Sequence, residues 1–210
     1  MTQEALSKML TRKRIALLAG ACVAIALAAA GLFYWIRHSE EAARAFTCRG
    51  RILRLGVGIE RYVRKHGAMP YSAKEPPVAD PFALLAEPCR PAARCPSLVK
   101  RESGRLLDSG YRMLNWDEKT WALVFARASE PSGLLWAQRP YHEGDLKGLP
   151  VAWCAEPVHL GERNVFVFLC APQGGFVGGG FPNYGLYRMG EPVFKAHMQK
   201  VEEILVEARR

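Results

Sequence analysis

The chain has 210 residues, 50% of them hydrophobic and 23% charged, a balance that excludes a disordered polymer and fits one ordinary domain with appendages. The formal net charge of +9 is unevenly spread: residues 1–14 carry +3 and residues 37–66 carry +5, leaving +1 for all the rest. A basic end beside a basic stem is a membrane-proximal pattern, and no nucleic-acid-binding motif accompanies it, so no nucleic-acid partner is expected.

Residues 15–36, IALLAGACVAIALAAAGLFYWI, run for 22 positions without a charge. As a helix they extend about 33 Å, enough for one bilayer crossing. Arg12, Lys13 and Arg14 precede the run, Tyr34 and Trp35 sit at its far end, and Glu40 and Glu41 follow. This predicts a cytoplasmic basic tail over 1–14, a transmembrane helix over 15–36 and an exported remainder. The competing reading is a cleavable signal peptide ending near Ala28-Ala29-Ala30; continuation of the apolar run to Ile36 favours the uncleaved anchor.

The helix is expected to continue as a stem over 37–70. Cys48, Ile52, Leu55, Ile59 and Tyr62 recur at helical spacing, Gly67 would cap the end, and Pro70 would stop it. Gly56 and Gly58 interrupt this pattern, each costing about 1 kcal/mol against alanine in a helix interior. Missing side chains permit close approach, so both glycines are expected where the stem meets a sheet, with Ile52, Leu55, Gly56, Gly58, Ile59 and Tyr62 forming the packed face.

Residues 71–210 are expected to form an exported α+β head. A Pro-rich connection over 71–97 contains a short helical turn near Phe82–Ala86. YRMLNW, TWALVFARA, GLLWAQRP, LPVAWCAEP and RNVFVFLCAP then read as strands of an antiparallel meander. QGGFVGGGFPNYG reads as a glycine-rich loop, and Pro192–Ala208 as a final amphipathic helix.

Five cysteines lie beyond the membrane segment: Cys48, Cys89, Cys95, Cys154 and Cys170. In an oxidising compartment they are expected to pair, with Cys89–Cys95 across a Pro-rich loop and Cys154–Cys170 at the ends of two strands as the candidates, and the odd one free or paired elsewhere. A zinc site has weak support, because the five-residue spacer in CRPAARC is unlike the usual ligand spacings and no His pair follows. Cys154 with His159 is the one tempting local nucleophile and base pair, and disulfide bonding of Cys154 is the better reading. Gly174–Gly180 lacks the following Lys or helix start of a phosphate cradle. No catalytic residue, cofactor or metal is therefore expected.

Cys48, Ile52, Leu55-Gly56, Gly58, Ile59, Tyr62, Gly67 and Pro70 together resemble the stem signature of bacterial type IV pilin-like, or pseudopilin-like, proteins of the group reading Cys-x-x-Asn-Leu-x-x-Ile-Gly-x-Ala-Leu-x-x-Tyr. His159, Arg163, Asn164 and Val165 resemble that group's second signature, a His followed by Asn-Val and an apolar strand. The chain departs from the group at Arg51, where Asn is usual, at Leu169-Cys170, where Asp-Gly is usual, and in lacking a Gly cleavage site and Glu at the start of the membrane helix. The resemblance implies a long helix packed on an antiparallel sheet, an inner-membrane anchor and a periplasmic head. It further implies a non-catalytic structural or interaction component of a secretion or pilus-like assembly, with other pilin-like membrane proteins as partners. The alternative is a free-standing tethered module that holds a ligand, in a cleft beneath Gly174–Gly180.

Overall fold

The structure is a computed structural model that describes residues 3–85, 94–99, 109–131, 133–135 and 148–210. Its compact units are Met1–Glu41 and Ala42–Arg210. Helix α1 spans Gln3–His66. In the first unit the large apolar side chains from Leu17 to Ile36 are 42–74% exposed. This is the one helix among the described residues long and apolar enough to cross a membrane.

In the second unit, α1 packs on an antiparallel sheet through a narrow stripe. Ala45, Cys48, Ile52, Leu55, Ile59 and Val63 are buried at spacings of three and four residues, while the basic residues of the same turns face outward or lie partly buried. The helix ends at Gly67, whose φ of 71° is the left-handed geometry of a glycine cap and whose N–H donates to the Val63 carbonyl at 2.7 Å.

Five strands follow in simple order: β1 (Val78–Ala79), β2 (Tyr111–Leu114), β3 (Leu149–Cys154), β4 (Glu162–Phe168) and β5 (Tyr184–Gly190), each antiparallel to the next. β3 is buried at every position and β4 at all but its first, because helices cover both faces, and this explains their continuous apolar sequences. On one face, Asn164 Nδ2 donates to the Ala45 carbonyl at 3.1 Å and Phe166 meets Gly56. On the other, Trp153 and the Arg163 guanidinium pack on Phe194 of α6, a helix spanning Glu191–Arg209. The short helices α2 (Pro81–Leu84), α3 (Pro96–Val99) and α5 (Phe176–Gly179) punctuate the connections.

Two expected elements need correction. TWALVFARA is no strand but part of α4 (Glu118–Ala128). The Asp117 carboxylate caps it by accepting from Thr120 N–H at 2.7 Å, and Trp121, Val124, Phe125 and Ala128 form its buried face. The last two residues of the expected glycine loop, Tyr184 and Gly185, instead open strand β5, which pairs along all of β4. The expected strand GLLWAQRP lies partly outside the described residues; its described part, 133–135, is turn.

Candidate functional site

The stem stripe delivers more than packing. Cys48 points from α1 into the sheet, where β3 ends at Cys154 and Tyr111 lies opposite in register. Cys48 Sγ lies 3.0 Å from Cys154 Sγ and 3.5 Å from the Tyr111 hydroxyl. From a third direction, the segment ahead of α3 brings Cys95 Sγ to 3.9 Å from Cys48 Sγ. That segment is itself pinned: Cys95 N–H donates to the Ser109 carbonyl at 2.9 Å, and the Arg51 guanidinium donates to the Arg94 carbonyl.

His159 closes the group. Its Nε2 is 3.7 Å from both Cys95 Sγ and Cys154 Sγ, and its Nδ1 is 3.2 Å from Ser97 Oγ. The imidazole is aimed by a two-residue turn in which the backbones of His159 and Glu162 exchange hydrogen bonds of 3.1 Å each way. Both central residues have positive φ, 58° at Leu160 and 82° at Gly161, as a tight hairpin of the right twist requires. A leucine in that region is strained by about 1–2 kcal/mol, so the surrounding structure holds the turn.

All four residues are buried, and their ligand atoms lie within 4.8 Å of one another. The electrostatics follow from three thiols in mutual contact. Hydrogen bonds from Cys154 and then Cys48 lower the Cys95 thiol against the opposing effect of burial. The same contacts, with Cys48 first, raise Cys154, and burial adds to the effect. Burial alone would depress His159, but its sulfur neighbours outweigh burial and lift it to about 10. Burial, then the charge of Cys48, raises Tyr111.

Of the residues singled out in the sequence, Cys48, Cys95, Cys154 and His159 come together here. Cys154 and Cys170 are not joined: both are free thiols, and Cys154 turns toward Cys48 instead. Cys89 lies outside the described residues, so its expected bridge to Cys95 does too. Asn164 sits apart, tying β4 to α1, while Ile52, Leu55, Gly56, Gly58 and Ile59 are buried along the stem and Tyr62 is half-buried at its end. Ser97 was not singled out in the sequence, and it meets His159 only through the fold.

A second feature is a cleft of about 310 Å³ lined by Ala122, Phe125 and Ala126 of α4 and by Ala171, Gly175 and Phe176. It lies under the start of the glycine-rich loop and is mainly apolar. No protein-family model, curated protein or solved structure matches the chain.

Proposed function

We propose that the protein is a single-pass, membrane-anchored, pilin-like structural or interaction component, which presents an exported α+β head and performs no catalysis. The observation that supports this most is the division of labour within α1. Its stretch from Leu17 to Ile36 leaves every large apolar side chain uncovered, while its stretch from Ala45 to Val63 is buried against a sheet. In water the first stretch would expose a continuous apolar surface, which a bilayer removes. A long helix on an antiparallel sheet is also the architecture that the pilin-like resemblance implies.

Within the membrane, Gly20 and Gly31 have open space where a side chain would be, and with Ala19, Ala24 and Ala28 they would admit a second helix at close range. The test is a photoreactive residue at position 31 in the intact membrane, with adducts read by mass spectrometry. Capture of another pilin-like chain supports assembly, and adducts to lipid alone contradict it.

The apolar cleft between α4 and the glycine loop favours a second reading, a tethered module for a small apolar ligand. Saturable binding of such a ligand, abolished by Ala126→Trp, would support it.

A further inference from the structure

We propose that Cys48, Cys95, Cys154 and His159 form a structural site for zinc or an equally thiophilic divalent cation, which fastens the stem helix to the head. The inference stands whether or not the chain is part of an assembly. Four donors from four separate elements converge: α1, the segment before α3, the end of β3, and the turn before β4. A tetrahedral zinc ion with bonds of about 2.3 Å to sulfur and about 2.0 Å to nitrogen requires edges of about 3.8 Å between sulfurs and about 3.5 Å from sulfur to nitrogen. The Cys95–Cys48 separation of 3.9 Å and the two sulfur-to-Nε2 separations of 3.7 Å match those edges. The Cys48–Cys154 separation of 3.0 Å would have to widen by under about 1 Å.

The surroundings also suit a metal ligand set. Ser97 Oγ on His159 Nδ1 leaves Nε2 facing the three sulfurs, the outer contact that metal-bound imidazoles ordinarily make. The Tyr111 hydroxyl can donate to Cys48 sulfur. Arg163 supplies positive charge one bond further out, donating to the carbonyls of Cys154 and Ala155 at 3.2 and 3.1 Å. Three sulfurs and one imidazole in a tetrahedral arrangement select zinc over calcium or magnesium, which prefer oxygen. With four protein ligands and full burial, no position is left for substrate, so the role is structural.

The competing outcome is a Cys48–Cys154 disulfide. It would leave the Cys95 thiol and a buried imidazole directed at sulfurs that no longer need them. Metal loading instead uses all four groups: the three sulfurs bind as thiolates and the imidazole as its neutral form, every proton these groups still carry passes to buffer, and no electron moves.

The test uses the full chain in detergent, reduced and then freed of reductant without oxygen. Titration with cobalt(II) should saturate at one equivalent, giving the intense visible bands of tetrahedral cobalt and a near-ultraviolet sulfur-to-metal charge-transfer band, and zinc should bleach both. Zinc should also protect Cys48, Cys95 and Cys154 of the unmodified chain from alkylation while Cys170 is labelled as before, a readout that needs no variant to fold. The spectrum should be lost in Cys95→Ser and His159→Ala and retained in Cys170→Ser. Absence of a tetrahedral cobalt spectrum in the reduced chain would overturn the proposal. So would stoichiometric binding that survives Cys48→Ser/Cys95→Ser, or a chain isolated from zinc-replete cells with a Cys48–Cys154 disulfide and no metal.

Discussion

Replacing Gly56 by alanine sets two known effects against each other. Alanine favours a helix interior by about 1 kcal/mol over glycine, so on helix propensity alone Gly56→Ala should stabilise. A Cβ at this position, however, would lie 2.6 Å from Phe166 Cζ and 2.8 Å from Cδ2, with Cε2 nearer still. Ordinary carbon contacts begin near 3.5 Å, so the ring must retreat by about 1 Å. It has little room: Phe166 is fully buried, with the Tyr184 ring centroid at 5.0 Å and that of Phe168 at 6.0 Å. Overpacking of this kind costs about 1–3 kcal/mol, leaving a net loss of about 1 kcal/mol. Gly50 lies in the same helix with nothing within 4 Å of its would-be Cβ, so Gly50→Ala should gain about 1 kcal/mol. With a urea slope of about 2 kcal/mol/M, the two midpoints should part by about 1 M, one on each side of the parent. Combining Gly56→Ala with Phe166→Leu should recover part of the loss, a coupling absent from Gly50→Ala with Phe166→Leu. If Gly56→Ala and Gly50→Ala shifted the midpoint alike, the close approach of stem and sheet would be refuted.

Other substitutions probe the turn, the ring contacts and the helix on the far face. Leu160→Asn places a residue tolerant of positive φ beside Gly161 and should raise stability by about 1 kcal/mol in urea titrations, whereas Leu160→Val should lower it. Ser97→Ala removes the contact to His159 Nδ1 and should weaken zinc affinity by about 10-fold or more in competition with a chromophoric chelator, with cobalt coordination still tetrahedral. His197 is buried on α6, and burial depresses its pKa. The unfolded chain therefore binds the extra proton first, and His197 should cost stability as pH falls below about 6.5. Urea midpoints between pH 7.5 and 5.5 should decline more steeply in the parent than in His197→Leu.

The stem was legible because burial on one side of a helix imposes a 3.6-residue recurrence, and Gly56 stood out by breaking the propensity rule at a packed position. β3 and β4 were legible because cover on both faces makes every position apolar. α4 was misread because Trp121, Val124 and Phe125 favour strands; the Asp117 cap and the spacing of the buried residues carried the helical signal. β5 was hidden because only Met189 is buried along it and Gly185 and Gly190 weaken its pattern. The cysteine and histidine cluster was illegible for a different reason. Cys48 stands 106 residues from Cys154 and 47 from Cys95, so only the assembled stem and sheet bring them together, and the reading by short spacings favoured loop-closing disulfides.

On the proposed function, α1 is held by lipid over its first part and by the sheet over its last. Spheroplasts carrying an amino-terminally tagged chain, treated with protease from outside, test it most directly. The tag should stay with the membrane through alkaline extraction, on a protected fragment ending shortly after Ile36, while residues beyond it are cleaved once the head is loosened by urea. Recovery of the intact chain in the soluble fraction, or a head that is cut only after the membrane is opened, would contradict it.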